Sequence, residues 1–130
     1  MSRQVCVLVV DDDESTLDFV AETLSDDGYQ VLTALHGGEA LAMIAKQPAD
    51  LILLDMRTPV VDGWEFVRAY RQMPGPHAPI VVMTAGRNAP GTAAEINAVA
   101  YLDKPFALES LLALVERYAG RPTPSGESSL

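Results

Sequence analysis

The chain predicts a three-layer α/β fold, a parallel five-stranded sheet with helices packed on both faces. Three observations carry that expectation. Five short aliphatic runs alternate with five amphipathic stretches across the 130 residues. Several runs are apolar at successive positions, as strands covered on both faces are, instead of alternating. Finally, 48% of the residues are hydrophobic, which suits one compact domain with a genuine core.

The first strand is VCVLVV (5–10), and Leu17, Val20, Ala21 and Leu24 then fall at helical spacing. Asp13 or Glu14 is placed to cap that helix. QVLTA (30–34) is the second strand, followed by a helix with Ala40, Leu41, Ile44 and Ala45 on one face. LILL (51–54) precedes a helix marked by Phe66, Val67 and Tyr70. After PIVVMT (79–84) comes a short, alanine-rich fourth helix around 90–97, with Asn97 suited to end it in the left-handed conformation. AVAYL (98–102) is the last strand. Leu108, Leu111, Leu112, Val115 and Ala119 define the final helix, which Gly120 stops. The domain is expected to span 1–119, with GRPTPSGESSL (120–130) as a flexible C-terminal tail or the start of a linker. There is no internal repeat.

Composition excludes several classes of function. The formal net charge is −9, and no Lys/Arg cluster could track a phosphate backbone, so neither nucleic acid nor an anionic membrane is an expected partner. No apolar stretch approaches the ~20 residues that cross a bilayer. MSRQV at the start lacks an apolar signal region, and the lone Cys6 sits inside an apolar run, so a reducing, cytoplasmic compartment is expected. His36 and His77 have no partner ligands at zinc spacing. Trp64 reads as a packing residue at the start of the third helix.

Asp55 raises a different question, because a carboxylate directly after LILL must be compensated. In an open α/β sheet, ligands bind beyond the carboxyl ends of the strands. Strand 1 ends in Asp11, Asp12 and Asp13, strand 3 in Asp55 and strand 4 in Thr84, while strand 5 runs into Asp103 and Lys104. With strands ordered 2-1-3-4-5, several carboxylates converge on one cleft. Close carboxylates repel unless a cation joins them, and oxygen-only ligands suit Mg²⁺. Lys104 adds a second positive charge and Thr84 a hydroxyl, so the parts describe a phosphoryl site with a carboxylate nucleophile. Taken singly, DDD fits helix capping and metal binding equally well, Asp62-Gly63 is a turn and Lys104 a solvated lysine. Their recurrence at four strand ends is what argues for a site.

These residues also resemble the receiver domains of bacterial two-component response regulators, over about residues 4–119. VLVVDDD is similar to the family's acidic pair, and LLDMRTPVVDG to its phosphoacceptor segment. VVMTA and YLDKPF resemble the ends of its strands 4 and 5. The resemblance implies a flavodoxin-like (βα)5 sandwich with strand order 2-1-3-4-5. It implies that Asp55 accepts a phosphoryl group from a sensor histidine kinase or a histidine phosphotransfer protein. Asp12 and Asp55 would bind Mg²⁺ (with Mn²⁺ as a substitute), joined by the backbone carbonyl of Arg57 and, through water, by Asp11. Lys104 would pair with Asp55 or the phosphoryl oxygens, Thr84 would bond a phosphoryl oxygen, and Tyr101 would turn inward when Thr84 moves. The Lys104–Pro105 bond would be cis. The implied output is a remodelled helix 4, strand 5 and helix 5 surface, read by a downstream protein target, an output domain or a homodimer partner. Such a phosphorelay module catalyses its own phosphotransfer and hydrolysis and turns over no external substrate.

Departures from the family pattern are Thr58 before the proline, the long charged Arg57 beside the acceptor, Asn97 in place of glycine and Ala107 in place of an acidic cap. Ala85 is small enough to leave room beside Asp55. Two other functions compete. One is a pseudo-receiver that binds partners without phosphorylation. The other is a haloacid-dehalogenase-like phosphatase using Asp11 of Asp11-x-Asp13-x-Ser15, a reading that leaves the Asp55 segment unexplained.

Overall fold

The computed structural model describes residues 4–56, 63–84 and 89–122. Strands and helices alternate from β1 (Cys6–Val10) and α1 (Glu14–Asp26) through β2 (Gln30–Ala34), α2 (Gly37–Lys46), β3 (Leu51–Asp55) and α3 (Gly63–Gln72). They continue with β4 (Ile80–Thr84), α4 (Ala89–Glu95), β5 (Ala100–Asp103) and α5 (Leu108–Ala119). The five strands form one parallel sheet in the order β2-β1-β3-β4-β5.

Every residue of β1, β3 and β4 is buried, and these runs are apolar up to the polar Asp55 and Thr84 that end β3 and β4. Successive side chains point to opposite faces. Leu8, Val10, Ile52, Leu54, Ile80 and Val82 pack with Ala40, Ile44, Phe66, Tyr70 and Ile96 on one side. Val7, Val9, Leu51, Leu53, Val81 and Met83 pack with Leu17, Val20, Leu24, Leu111 and Val115 on the other. The edge strands β2 and β5 are only partly covered. Cys6 is fully buried at the start of β1, where Asp50 accepts a bond from its amide and returns one to its carbonyl.

Local chemistry sets the element ends. Asp13 is the N-cap of α1: its Oδ1 accepts from the Ser15 amide at 3.0 Å and its Oδ2 from the Thr16 hydroxyl at 2.9 Å. Gly28, at φ 103°, turns the chain out of that helix. Asn97 follows α4 with φ 56°, and Gly120 follows α5. Gly120 is tied back across the fold, because the buried Tyr29 donates its hydroxyl proton to the Gly120 carbonyl at 2.7 Å.

Some boundaries differ from the sequence expectation. The fourth helix runs Ala89–Glu95 instead of 90–97, since Ile96 and Asn97 already belong to the turn that returns the chain through the Ala98 amide to the Ala93 carbonyl. β5 begins at Ala100, two residues later than expected, because Val99 still belongs to the connection, its amide reaching the Ile80 carbonyl. His36, read from sequence only as lacking zinc partners, has a structural role. It caps α2, its Nδ1 accepting from the Glu39 amide at 3.3 Å, while Glu39 Oε1 accepts from the Leu35 amide at 2.6 Å.

Candidate functional site

Three strand tips build the acidic pocket. β1 and β3 are hydrogen-bonded neighbours, so the residues after Val10 and Leu54 leave the sheet side by side. One carboxylate oxygen from each of Asp11, Asp12 and Asp55 lies within 4.8 Å of the others. Asp11 and Asp55 are buried and Asp12 is exposed at the mouth.

Lys104 arrives from the end of β5. Its Nζ donates to Asp11 Oδ2 at 2.5 Å and to Asp55 Oδ2 at 3.2 Å. The lysine thus sits against both carboxylates, and its shorter contact is with Asp11. Asp11 Oδ1 accepts from the Asp13 amide at 2.9 Å, so each oxygen of this buried carboxylate has a donor. Burial pushes the Asp11 carboxyl above its usual value, and the Asp55 charge adds to the rise, against the lowering by Lys104 and the Asp13 amide. Burial alone would lower the Lys104 ammonium, but the bond to Asp11 and the charges of Asp55 and Asp11 outweigh it and raise it. The Lys104–Pro105 bond is cis.

Thr84 is buried at the end of β4, one step beyond Met83, the register partner of Asp55, and its carbonyl accepts from the Lys104 amide at 2.9 Å. Tyr101, in register with Val82, stands 41% exposed on β5. Arg57, Thr58, Asp62 and Ala85 lie outside the described residues, as does 123–130 of the tail. The Gly63 amide donates to the Met56 carbonyl at 3.3 Å, bringing the start of α3 against the end of β3. A Cβ on Gly63 would fall 2.6 Å from both Cα and Sδ of Met56, so only glycine permits this approach. The sequence marked Gly63 as part of a turn, but the contact with Met56 has no sequence signal.

An oxygen-only set of three carboxylates fits a hard divalent cation such as Mg²⁺. A softer metal finds no thiol or imidazole in the group.

Fold and pocket together define a signalling receiver. The family model for the response regulator receiver domain matches residues 7–116, and the chain belongs to that family, as the receiver domain of a two-component response regulator. Among curated relatives it is 42% identical over 130 residues to response regulator MprA of Mycolicibacterium vanbaalenii, covering 96% of this chain and 56% of that protein. The chain therefore spans about half the length of the curated relatives it matches. Among solved structures, chemotaxis protein CheY4 of Vibrio cholerae matches with a TM-score of 0.80 and 37% identity, over 89% of this chain and 99% of that one. A response regulator from Chloroflexus aurantiacus matches with a TM-score of 0.83 and 31% identity, over 92% of this chain and 100% of its own.

Proposed function

We propose that the domain takes a phosphoryl group onto Asp55 from the phosphohistidine of a sensor histidine kinase or a histidine phosphotransfer protein. The supporting observation is that Asp55 is buried beside two further carboxylates and one ammonium, at the carboxyl edge of the sheet. A carboxylate oxygen of Asp55 attacks phosphorus as the P–N bond breaks, and the departing imidazole keeps the electron pair. Later hydrolysis at phosphorus returns the free carboxylate and inorganic phosphate.

Asp12 and Asp55, with Asp11 through water and the Arg57 carbonyl, would hold Mg²⁺, which when bound neutralises charge on the transferred phosphoryl oxygens. Lys104 supplies the second positive charge, already placed 3.2 Å from the acceptor carboxylate. Thr84, one strand over, offers its hydroxyl to a phosphoryl oxygen. Phosphorylation adds about −1.5 to −2 charge, and the response is a shift of Thr84 and of the exposed Tyr101. That shift remodels the α4, β5 and α5 face for a downstream target, an output domain or a second copy. Arg57 beside the acceptor is proposed to steer the attacking water and so to set the lifetime of the phosphorylated form.

The test is incubation with acetyl phosphate and Mg²⁺ followed by intact-mass measurement. Wild type gains one phosphoryl adduct that chelation prevents, and Asp55→Asn gains none. An adduct that survives Asp55→Asn would overturn the assignment.

A further inference from the structure

Asp13 stands next to the acidic pocket without joining it. Among the described residues, the carboxylates grouped closely enough to share a cation are those of Asp11, Asp12 and Asp55. Asp13 commits both of its oxygens to its own helix, Oδ1 to the Ser15 amide at 3.0 Å and Oδ2 to the Thr16 hydroxyl at 2.9 Å. The bonds from Thr16 and Ser15 hold its carboxyl below the usual value, so at neutral pH it is ionised and accepts from both. Its backbone serves the pocket instead. The Asp13 amide donates to Asp11 Oδ1 at 2.9 Å, while the Asp13 carbonyl accepts from the Leu17 amide at 3.1 Å as the first turn of α1 closes.

A carboxylate held at one oxygen has little freedom left at the other, because the group is rigid and planar. Asp11 is fully buried, so the donors to its two oxygens decide where it points. With Oδ1 fixed by the Asp13 amide, Oδ2 is presented to Lys104, whose ammonium also reaches Asp55 at 3.2 Å. A chain of bonds therefore runs from Thr16 and Ser15 through Asp13 and Asp11 to Lys104, joining the first turn of α1 to the end of β5. Remove its first links and the Asp13 amide moves with the fraying end of an uncapped helix. Asp11 is then left to Lys104 alone.

We propose that Asp13 and Thr16 are positioning residues for the divalent cation. Clasped together at the head of α1, they fix the amide that aims Asp11 and so keep the three carboxylates in one group. Outer partners that orient a metal-binding residue commonly matter about 10–100-fold for affinity, although they do not touch the ion. The assignment rests on the reading that the pocket takes Mg²⁺, and it concerns ion binding before any phosphoryl transfer. It also separates two neighbouring aspartates by role: Asp12 meets the ion with its charge, whereas Asp13 acts through geometry.

The test titrates Mg²⁺ into the whole metal-free chain with no phosphoryl donor present, and reads affinity from backbone amide shifts by NMR. Asp13→Ala is expected to weaken Mg²⁺ binding at least about tenfold. Thr16→Val, which removes only the hydroxyl bond, should weaken it by less. Asp13→Asn keeps an acceptor for the Ser15 amide while losing the charge, so its affinity should lie closer to wild type than to Asp13→Ala. Tyr29→Phe loses a bond at the opposite edge of the sheet, controls for general loss of stability and should leave affinity unchanged. Circular dichroism checks that each variant is folded, and Thr16→Val carries the test if Asp13→Ala is not. An Asp13→Asn affinity as low as that of Asp13→Ala would make charge the cause and overturn the proposal. So would wild-type affinity in both Asp13→Ala and Thr16→Val, or an equal loss in Tyr29→Phe. A wild-type chain that binds no Mg²⁺ would overturn the cation reading itself, and this inference with it.

Discussion

Lys104 concentrates the energetics of the pocket in one side chain. Among the described residues its ammonium pairs with both Asp11 and Asp55, and it is itself only partly exposed. Lys104→Met would leave two adjoining carboxylates to repel each other, at a cost of about 1–3 kcal/mol. Urea titration should show that loss in metal-free buffer and a substantial recovery with Mg²⁺, because the cation and the ammonium meet the same charges. A recovery no larger than that of wild type would argue against a shared role. Sequence reasoning reached Lys104 through its place after β5, but the preference for Asp11 was not legible. Four rotatable bonds carry that ammonium, and only the folded positions of the two carboxylates decide which is nearer. Asp13 and Asn97 were legible because each acts on its own neighbours, one as a helix cap and the other as a left-handed turn residue.

At the scale of elements, strand identity followed from burial. β1, β3 and β4 are covered on both faces and are apolar up to Asp55 and Thr84 at their ends, so their existence and order along the chain were plain. Their ends were less so. α4 is seven residues long, and its exit is set by the turn through Asn97 rather than by a change of pattern. The His36 cap was missed because histidine is an uncommon residue at that position, and its bond becomes visible only once Glu39 is seen reaching back to Leu35. The approach of α3 to the end of β3 depends on Gly63. Gly63→Ala should destabilise the domain by about 1–3 kcal/mol, since the added methyl meets backbone as well as the Met56 side chain. Chemical denaturation measures this, and a neutral result would mean the two segments separate easily.

For the molecule as a whole, the two faces of the sheet are held by separate cores, and Tyr29 belongs to the one under α1 and α5. Burial, with the nearby Asp27 and Glu116 charges, pushes its phenol from 10.0 up to about 12. An acid raised in the folded state favours folding fully below its unfolded value and loses that contribution as pH climbs through the folded one. Stability should therefore fall between pH 10 and about 12, and the raised Lys104 ammonium acts in the same direction. Tyr29→Phe should flatten the alkaline fall measured by urea midpoints, at a neutral-pH cost of about 0.5–1.5 kcal/mol for the lost bond. An unchanged alkaline slope would remove Tyr29 from the account.

That same hydroxyl joins residues 91 positions apart, linking the start of β2 to the last turn of α5. The fold is thus buckled at the place where the chain leaves its final helix. A load applied beyond residue 122 reaches Gly120 first and must break its bond to a ring anchored in the core before α5 can peel away. In an optical-trap experiment pulling from that end, wild type should rupture in one cooperative step. Tyr29→Phe should shed α5 earlier, as a separate event at lower force.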